Sequence, residues 1–349
     1  MCKKMYKQNS KCTWGLKKYI ALKIDWMEVE MQKVIVICGP TASGKTGLSI
    51  ELAKKINGEI VSCDSMQIYK DMTIGTAKPT AEEMQGIKHY LIDCIFPDKR
   101  YSVADYKRDA IKAIQEILEK GKVPIVVGGT GLYLEALVRG IDYSEIEIDL
   151  KYREELNKLE KEKGLNELYK MAMRIDENAA LKISPNDKKR ICRILEIYNA
   201  TGKTKTELEK ESRKNGVKYN YILFGINMDR NILYERINKR VDVMIKQELI
   251  EEVRNLINKY SEFPTALQGL GYKEVVEYLN GITTRDEMIE KIKQETRRYA
   301  KRQITWFKRY DGLTWLDGLD ELNNNIDIIL RKSEIRLMNN DIWKGRVSN

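Results

Sequence analysis

Gly39-Pro-Thr-Ala-Ser-Gly-Lys45-Thr46 carries the clearest chemical signal of the chain: two glycines separated by four residues, then a lysine and a hydroxyl. An apolar run (Val34-Ile-Val-Ile-Cys38) precedes it and a helical pattern (Leu48, Ile50, Leu52, Ala53, Ile56) follows. That is the strand–loop–helix context of a phosphate-binding loop. Gly39 and Gly44 free the backbone to curl, so that successive N–H groups converge on one anion. The helix that follows adds the positive end of its dipole. Lys45 supplies a point charge and the Thr46 hydroxyl a magnesium ligand, while Pro40, Thr41, Ala42 and Ser43 complete the cradle. The loop alone leaves open whose phosphates it holds.

The other candidates also sit at the ends of expected strands. Asp64 follows Ile60-Val-Ser-Cys63 and projects at the same sheet edge as the loop. It reads equally as a carboxylate facing an acceptor substrate or as an unpaired surface residue. Gly128-Gly129-Thr130-Gly131 follows Ile125-Val-Val127 and opens a helical pattern over 132–138. It resembles a second small anion site, with a plain strand-to-helix turn as competitor. Leu91-Ile92-Asp93 is the nearest approach to an apolar strand ending in a metal-binding carboxylate. Lys188-Lys189-Arg190-Ile-Cys-Arg193 places Arg190 and Arg193 on one helix face, as a phosphate lid, an RNA contact or a solvated face. Arg297-Arg298-Tyr299-Ala-Lys301-Arg302-Gln303, running into Trp306-Phe-Lys-Arg309, interleaves cations with rings, a pattern that suits RNA. Ile292, Tyr299, Ile304 and Phe307 also fit one buried helical stripe, which would leave only the charges exposed.

The elements that must position these residues alternate. Strand patterns at 34–38, 59–63, 90–93 and 123–127 interleave with helical patterns at 46–56, 81–85 and 102–120. This predicts an α/β fold, a parallel sheet flanked by helices, with ligands at the carboxyl ends of the strands. From about Asp142 the pattern becomes short, charged and helical (149–164, 166–174, 176–181), which predicts an all-α insertion. A strand at 221–226 returns to the sheet, and amphipathic helices follow at 230–260 and 285–309. The expected organisation is a basic N-terminal extension (1–32), a first core segment (33–141), the insertion (142–215), a second core segment (216–315) and a weakly patterned helical tail (316–349).

The chain has 349 residues, 42% apolar and 33% charged, enough for a substantial core. No apolar run approaches the ~20 residues of a membrane span. The net charge of +10 is compatible with a nucleic-acid partner. Six cysteines without CxxC spacing fit a reducing cytoplasm and argue against a structural zinc site. The single histidine, His89, excludes metal clusters with two or more histidines. The first 23 residues hold seven lysines and no acid, and read as a dispensable tail. Two functional classes compete on these residues. One is a kinase-like phosphotransferase with ATP on the loop. The other is a nucleic-acid enzyme or binding module whose phosphate site holds RNA or a phosphorylated donor.

The loop, Asp64-Ser-Met-Gln-Ile-Tyr-Lys, Ile74-Gly-Thr-Ala-Lys-Pro, Gly128-Gly-Thr-Gly-Leu-Tyr, Pro185-Asn-Asp-Lys-Lys-Arg-Ile-Cys-Arg, Leu270-Gly-Tyr-Lys-Glu and Tyr299-Ala-Lys-Arg-Gln-Ile-Thr-Trp-Phe occur in this order. Together they resemble the bacterial tRNA dimethylallyltransferase (tRNA isopentenyltransferase) family, from about Lys33 to Arg309. The resemblance implies transfer of a dimethylallyl group from dimethylallyl diphosphate to N6 of the adenosine immediately 3′ of the anticodon. The substrates would be tRNAs reading codons that begin with U. Asp64 is similar to the family's general base. The loop residues, Lys45 and Mg2+ on Thr46 would hold the leaving diphosphate on one side, and Thr130 and Arg153 on the other. The tRNA anticodon stem-loop would meet Asp64, Ser65, Met66 and Gln67; Lys189, Arg190, Ile191, Cys192 and Arg193; and Gln268, Gly269, Leu270, Gly271, Tyr272 and Lys273. The family often carries alanine where this chain has Gly269, an exchange expected to be harmless. The resemblance implies a monomer, and the cysteine usage a cytoplasmic location. The alternatives are an adenylate isopentenyltransferase, acting on free nucleotide, and a small-molecule kinase.

Overall fold

The computed structural model describes residues 31–142, 149–214 and 216–335, so almost all of the expected N-terminal extension lies outside the described residues. Strands β1 (Lys33–Cys38), β2 (Gly58–Cys63), β3 (His89–Tyr90), β4 (Val123–Gly128), β5 (Asn220–Asn227) and β6 (Thr314–Asp317) form one sheet in the order β3-β2-β4-β1-β5-β6. Every pairing is parallel. β1 reads as an unbroken apolar run because both its faces are covered. Val34, Val36 and Cys38 join one core layer, with Val61 and Val126, while Ile35 and Ile37 join the opposite layer, with Leu48, Leu52 and Ile125.

Helices α1 (Lys45–Ile56), α2 (Val103–Glu119) and α3 (Gly131–Val138) follow β1, β3 and β4 in the chain. α2 starts at a capping box in which Ser102 and Asp105 satisfy each other's backbone N–H, and it buries Tyr106, Ala110, Ala113, Ile114 and Ile117. The insertion comprises α4 (Leu150–Lys163), α5 (Leu165–Ile175), a single turn at Glu177–Ala180, α6 (Lys188–Thr201) and α7 (Lys205–Arg213). It has its own small core of Leu156, Leu168, Ala172, Ala180, Ile191, Ile194 and Leu195. Buried Asp176 ties its turns together, accepting from the Ala179 and Thr206 N–H groups and from the Thr206 hydroxyl. Helices α8 (Arg230–Lys246), α9 (Leu249–Lys259), α10 (Tyr272–Leu279) and α11 (Arg285–Phe307) follow β5, and α12 (Leu322–Ser333) follows β6.

Three elements differ from expectation. The third strand spans two residues, because Leu91 (φ 61°) and Asp93 (φ 54°) turn left-handed and leave the ladder. The helical pattern at 230–260 is broken at Glu248 (φ 71°), and the break turns Leu249 and Val253 into the core. The expected tail supplies β6 and α12, whose Leu316, Ile326 and Ile329 are buried against Ile35, Ile37 and Phe224. The core thus continues past the expected boundary at 315, to at least Ser333.

Register prepares the site. Cys38 of β1 lies opposite Gly128 of β4, and Cys63 of β2 lies opposite the same Gly128. The loops after β1, β2 and β4 therefore leave the sheet at one level. β1 continues to β2 on one side and β4 to β5 on the other, the strand-order reversal at which open α/β sheets form a crevice.

Candidate active site

The loop after β1 has the form its sequence demands. Gly44 adopts φ 91° at the start of α1, a conformation that costs other residues more. The Lys45 amino group donates to the Pro40 carbonyl at 2.6 Å, closing the loop on itself. The Ser43 hydroxyl is buried without a protein partner. Burial first, then the nearby Arg240 guanidinium, brings the Lys45 pKa down to about 8, with the Asp64 carboxylate opposing both. Burial also lowers the pKa of Arg240. Two cations crowded at this glycine loop, beside a buried hydroxyl without a protein partner, make it attractive to an anion. Arg240 comes from α8 and reaches the Thr41 hydroxyl at 3.4 Å.

Asp64, immediately after β2, is held by its own turn. Its Oδ1 accepts from the N–H groups of Met66 (2.9 Å) and Gln67 (3.2 Å), which orients the carboxylate. The Thr130 hydroxyl accepts from Ser65 N–H at 3.0 Å and donates to Ser65 Oγ at 3.3 Å, locking the loops after β2 and β4 together. The Gln67 amide donates to the Thr76 and Ala77 carbonyls at 3.2 and 3.3 Å. That segment is pinned from behind by Glu252 of α9, which accepts from three successive N–H groups, Thr73, Ile74 and Gly75, at 2.7–3.0 Å. Burial first, then the Asp64 charge, raises the Tyr299 hydroxyl, keeping it protonated beside the carboxylate. Burial pushes the thiols of Cys38 and Cys63 up to about 12, so neither is a nucleophile near neutral pH.

A cavity of about 400 Å³ joins these groups. One wall carries Thr41, Lys45, Thr46 and Arg240; another carries Asp64, Met66 and Gln67; Gln268, Gly269, Leu270, Gly271, Tyr272 and Lys273 line it too. Ile237, Val241, Met244 and Ile292 give it an apolar lining. A second, wider opening of about 870 Å³ runs between the core and the insertion. Arg190, Arg193, Lys205 and Arg213 border it from the insertion, and Arg302, Trp306 and Arg309 from α11 and the residues after it. The two openings share Ser65, Gly129, Tyr299, Arg302 and Gln303.

Several expected site residues stand elsewhere. Arg153 binds Glu196 at 2.7 Å within the insertion and is not part of the lining of either opening. Ile191 and Cys192 are buried in the insertion core, so that of this run Arg190 and Arg193 line the groove. Tyr272 is buried, donating to Glu252 at 2.7 Å, and serves as a wall. Asp93 pairs with the amino group of Lys78, which also holds the Tyr69 carbonyl, and takes no part in the loop site. The stripe on α11 divides: Ile292 and Phe307 are core and Ile304 packs against the cluster of Leu233, Ile237 and Ala300, whereas Tyr299 is half-buried at the openings. A methyl group at Gly269 would lie 2.6 Å from the Met66 terminal methyl, the flexible end of a side chain that can move aside. Arg240 carries no signal in the sequence, and Gln303 stands there only at the end of a basic run, because nothing local marks either as a partner of the loop. Both reach the loop only through the packing of α8 and α11.

Residues 67–310, more than half of the chain, match the family model described as IPP transferase. The chain belongs to the IPP transferase family. Among curated proteins, the tRNA dimethylallyltransferase of Acetivibrio thermocellus is 51% identical over 300 residues, covering 86% of this chain and 96% of the relative. That of Caldanaerobacter subterraneus subsp. tengcongensis is 50% identical over 303 residues, covering 84% and 96%. Among solved structures, the full-length tRNA isopentenylpyrophosphate transferase of Bacillus halodurans superposes with a TM-score of 0.65 at 41% identity, covering 87% of this chain and 97% of that one. A eukaryotic dimethylallyltransferase acting on tRNA superposes with a TM-score of 0.72 at 30% identity, covering 88% and 81%. The IPP transferase fold thus extends across the sheet, the insertion and the α8–α11 wall of the cavity.

Proposed function

We propose that this protein transfers a dimethylallyl group from dimethylallyl diphosphate to N6 of the adenosine 3′-adjacent to the anticodon, in tRNAs reading U-initial codons, and releases diphosphate. The observation that carries this reading is the pairing, across one cavity, of an anion-hungry loop with an oriented carboxylate, opening onto a basic groove between core and insertion. The diphosphate belongs on the N–H groups of residues 42–46, with Lys45 and Arg240 against its charge. The five-carbon chain points into the apolar lining of Ile237, Val241, Met244 and Ile292.

An exocyclic adenine amine is a poor nucleophile because its lone pair is delocalised into the ring. As N6 bonds to the allylic carbon, the carbon–oxygen bond to diphosphate breaks and the N6 proton becomes acidic. Asp64, with Oδ1 held by two N–H groups, accepts that proton on its other oxygen and passes it to solvent. Preorganised charge at the leaving oxygens supplies much of the rate. A magnesium ion accompanying the diphosphate would be held on the protein side by the Thr46 hydroxyl, which lines the cavity. Such an ion would add charge against the leaving group. The target base must leave its stack, at a cost of roughly a few kcal/mol. Arg190, Arg193, Arg302 and Arg309 face the anticodon arm, and Tyr299 and Trp306 stand where an extruded base would pass. We place the protein in the cytoplasm as a monomer; its four described cysteines are free thiols.

Incubation with radiolabelled dimethylallyl diphosphate and unmodified tRNA tests this reading. Label is expected in the tRNA, at the nucleoside after the anticodon. Label in AMP instead would identify the free-nucleotide enzyme, and phosphate transfer from ATP to a small acceptor would identify a kinase.

A further inference from the structure

Gln303 lies on α11 and is 5% exposed. Its Oε1 accepts from the Thr41 N–H of the phosphate loop at 2.9 Å, and its Nε2 donates to the Gly129 carbonyl at 2.9 Å. These partners belong to the loops that leave the adjacent strands β1 and β4. Gly129 permits the approach, since a Cβ there would lie 2.2 Å from Nε2. Beyond Gly129 the linkage continues: the Thr130 hydroxyl holds Ser65 N–H, and Ser65 adjoins Asp64. One side chain thus joins the loop after β1 to the loop after β4, and Thr130 carries the linkage on to the turn of Asp64.

We infer that Gln303 is a positioning residue, which sets the distance between the phosphate loop and the Asp64–Thr130 side of the cavity. The inference rests on the function proposed above. A neutral amide both accepts and donates, which this bridge requires. A carboxylate only accepts, lysine and arginine only donate, and methionine, of equal length, does neither well. In a reaction that needs N6, the allylic carbon and the leaving oxygen in line, a misplacement of about 1 Å costs roughly a hundredfold. Loosening the bridge therefore acts on kcat, because each loop keeps its own ligand contacts.

The test compares Gln303→Met and Gln303→Glu with wild type in the prenyl-transfer assay from pH 4.5 to 8, a range that reaches the ordinary titration of a glutamic acid. Melting temperature and amide hydrogen exchange are read in parallel. At pH 8 both variants should lose roughly ten- to a hundredfold in kcat. In Gln303→Met the KM for dimethylallyl diphosphate should stay within about threefold, the expectation when binding contacts are retained. On acidification the glutamic acid of Gln303→Glu regains an O–H donor for Gly129, so its kcat relative to wild type should climb above that of Gln303→Met. Exchange in Gln303→Met should quicken at residues 39–46 and 128–131 and stay unchanged in the strands. The inference is overturned if Gln303→Met keeps wild-type kcat, if the loss lies wholly in KM, or if Gln303→Glu never exceeds Gln303→Met. Loss of the fold in both variants would also overturn it, making Gln303 a stability residue. Wild-type protein that labels no tRNA would refute the proposed function instead, while exchange at the two loops still decides the role of Gln303.

Discussion

Lys45 should take up a proton when diphosphate binds. Burial and Arg240 bring its ammonium from 10.5 to about 8 in the ligand-free protein, which corresponds to roughly 3 kcal/mol against the charged form. A diphosphate against Lys45 and Arg240 removes that penalty and returns the group to its ordinary range. Uptake attributable to Lys45 should then be about 0.1 proton at pH 7, about 0.5 at pH 8 and about 0.9 at pH 9. Calorimetry of pyrophosphate binding in two buffers of different ionisation enthalpy reads this number directly. Lys45→Arg, whose guanidinium stays charged throughout, provides the control, because the ionisation of pyrophosphate is common to both proteins and cancels. The sign extends to stability. The unfolded chain binds this proton more tightly than the folded one, so the ligand-free protein gains stability from Lys45 as pH rises from about 8 toward 10.5. Saturating pyrophosphate should abolish that gain. Equal uptake by wild type and Lys45→Arg at pH 9 would refute the picture of two crowded cations waiting for an anion.

Asp64→Asn should lower kcat by about 10²–10⁴ while pyrophosphate binding persists, and a variant retaining near-normal turnover would remove Asp64 as the base. Arg240→Gln should weaken pyrophosphate roughly ten- to a hundredfold, the loss of one charge-assisted contact of about 1.5–3 kcal/mol, as measured by calorimetry. Unchanged affinity would mean that Arg240 does not meet the ligand. Arg190→Glu with Arg193→Glu should weaken tRNA binding and flatten its dependence on salt by roughly 0.7–0.9 in the log–log slope per lost phosphate contact. A filter-binding series with an unchanged slope would take this face out of the interface. Ile326→Ala should cost about 2–5 kcal/mol in urea unfolding, since Ile326 is fully buried under the sheet. A loss below 1 kcal/mol would return α12 to the status of a tail.

What the sequence by itself determined is what short stretches of chain encode. Two glycines, a lysine and a threonine at set spacing dictate the tight turn from β1 into α1, with Gly44 at φ 91°, because the curl of the backbone is local. Apolar runs ending in Cys38, Cys63 and Gly128 place that loop, Asp64 and Thr130 at one sheet edge, because parallel strands separated by helices share a carboxyl end. Strands and helices of strong period were legible for the same reason. The tertiary structure alone decided which distant side chains complete the site. Arg240 stands in a solvent-like run of charges on α8, and Gln303 looks like one more polar residue of α11, until packing carries both to the loop. The same long-range packing assigns Arg153 to Glu196, sends Ile191 and Cys192 inward, and recruits residues 314–333 into the sheet layer. Backbone geometry is specified within a few residues, whereas a side chain's partner is specified by every element between the two. The geometry of the loop after β1 could therefore be read along the chain, and the Gln303 bridge and the Arg240 cation that meet it could not.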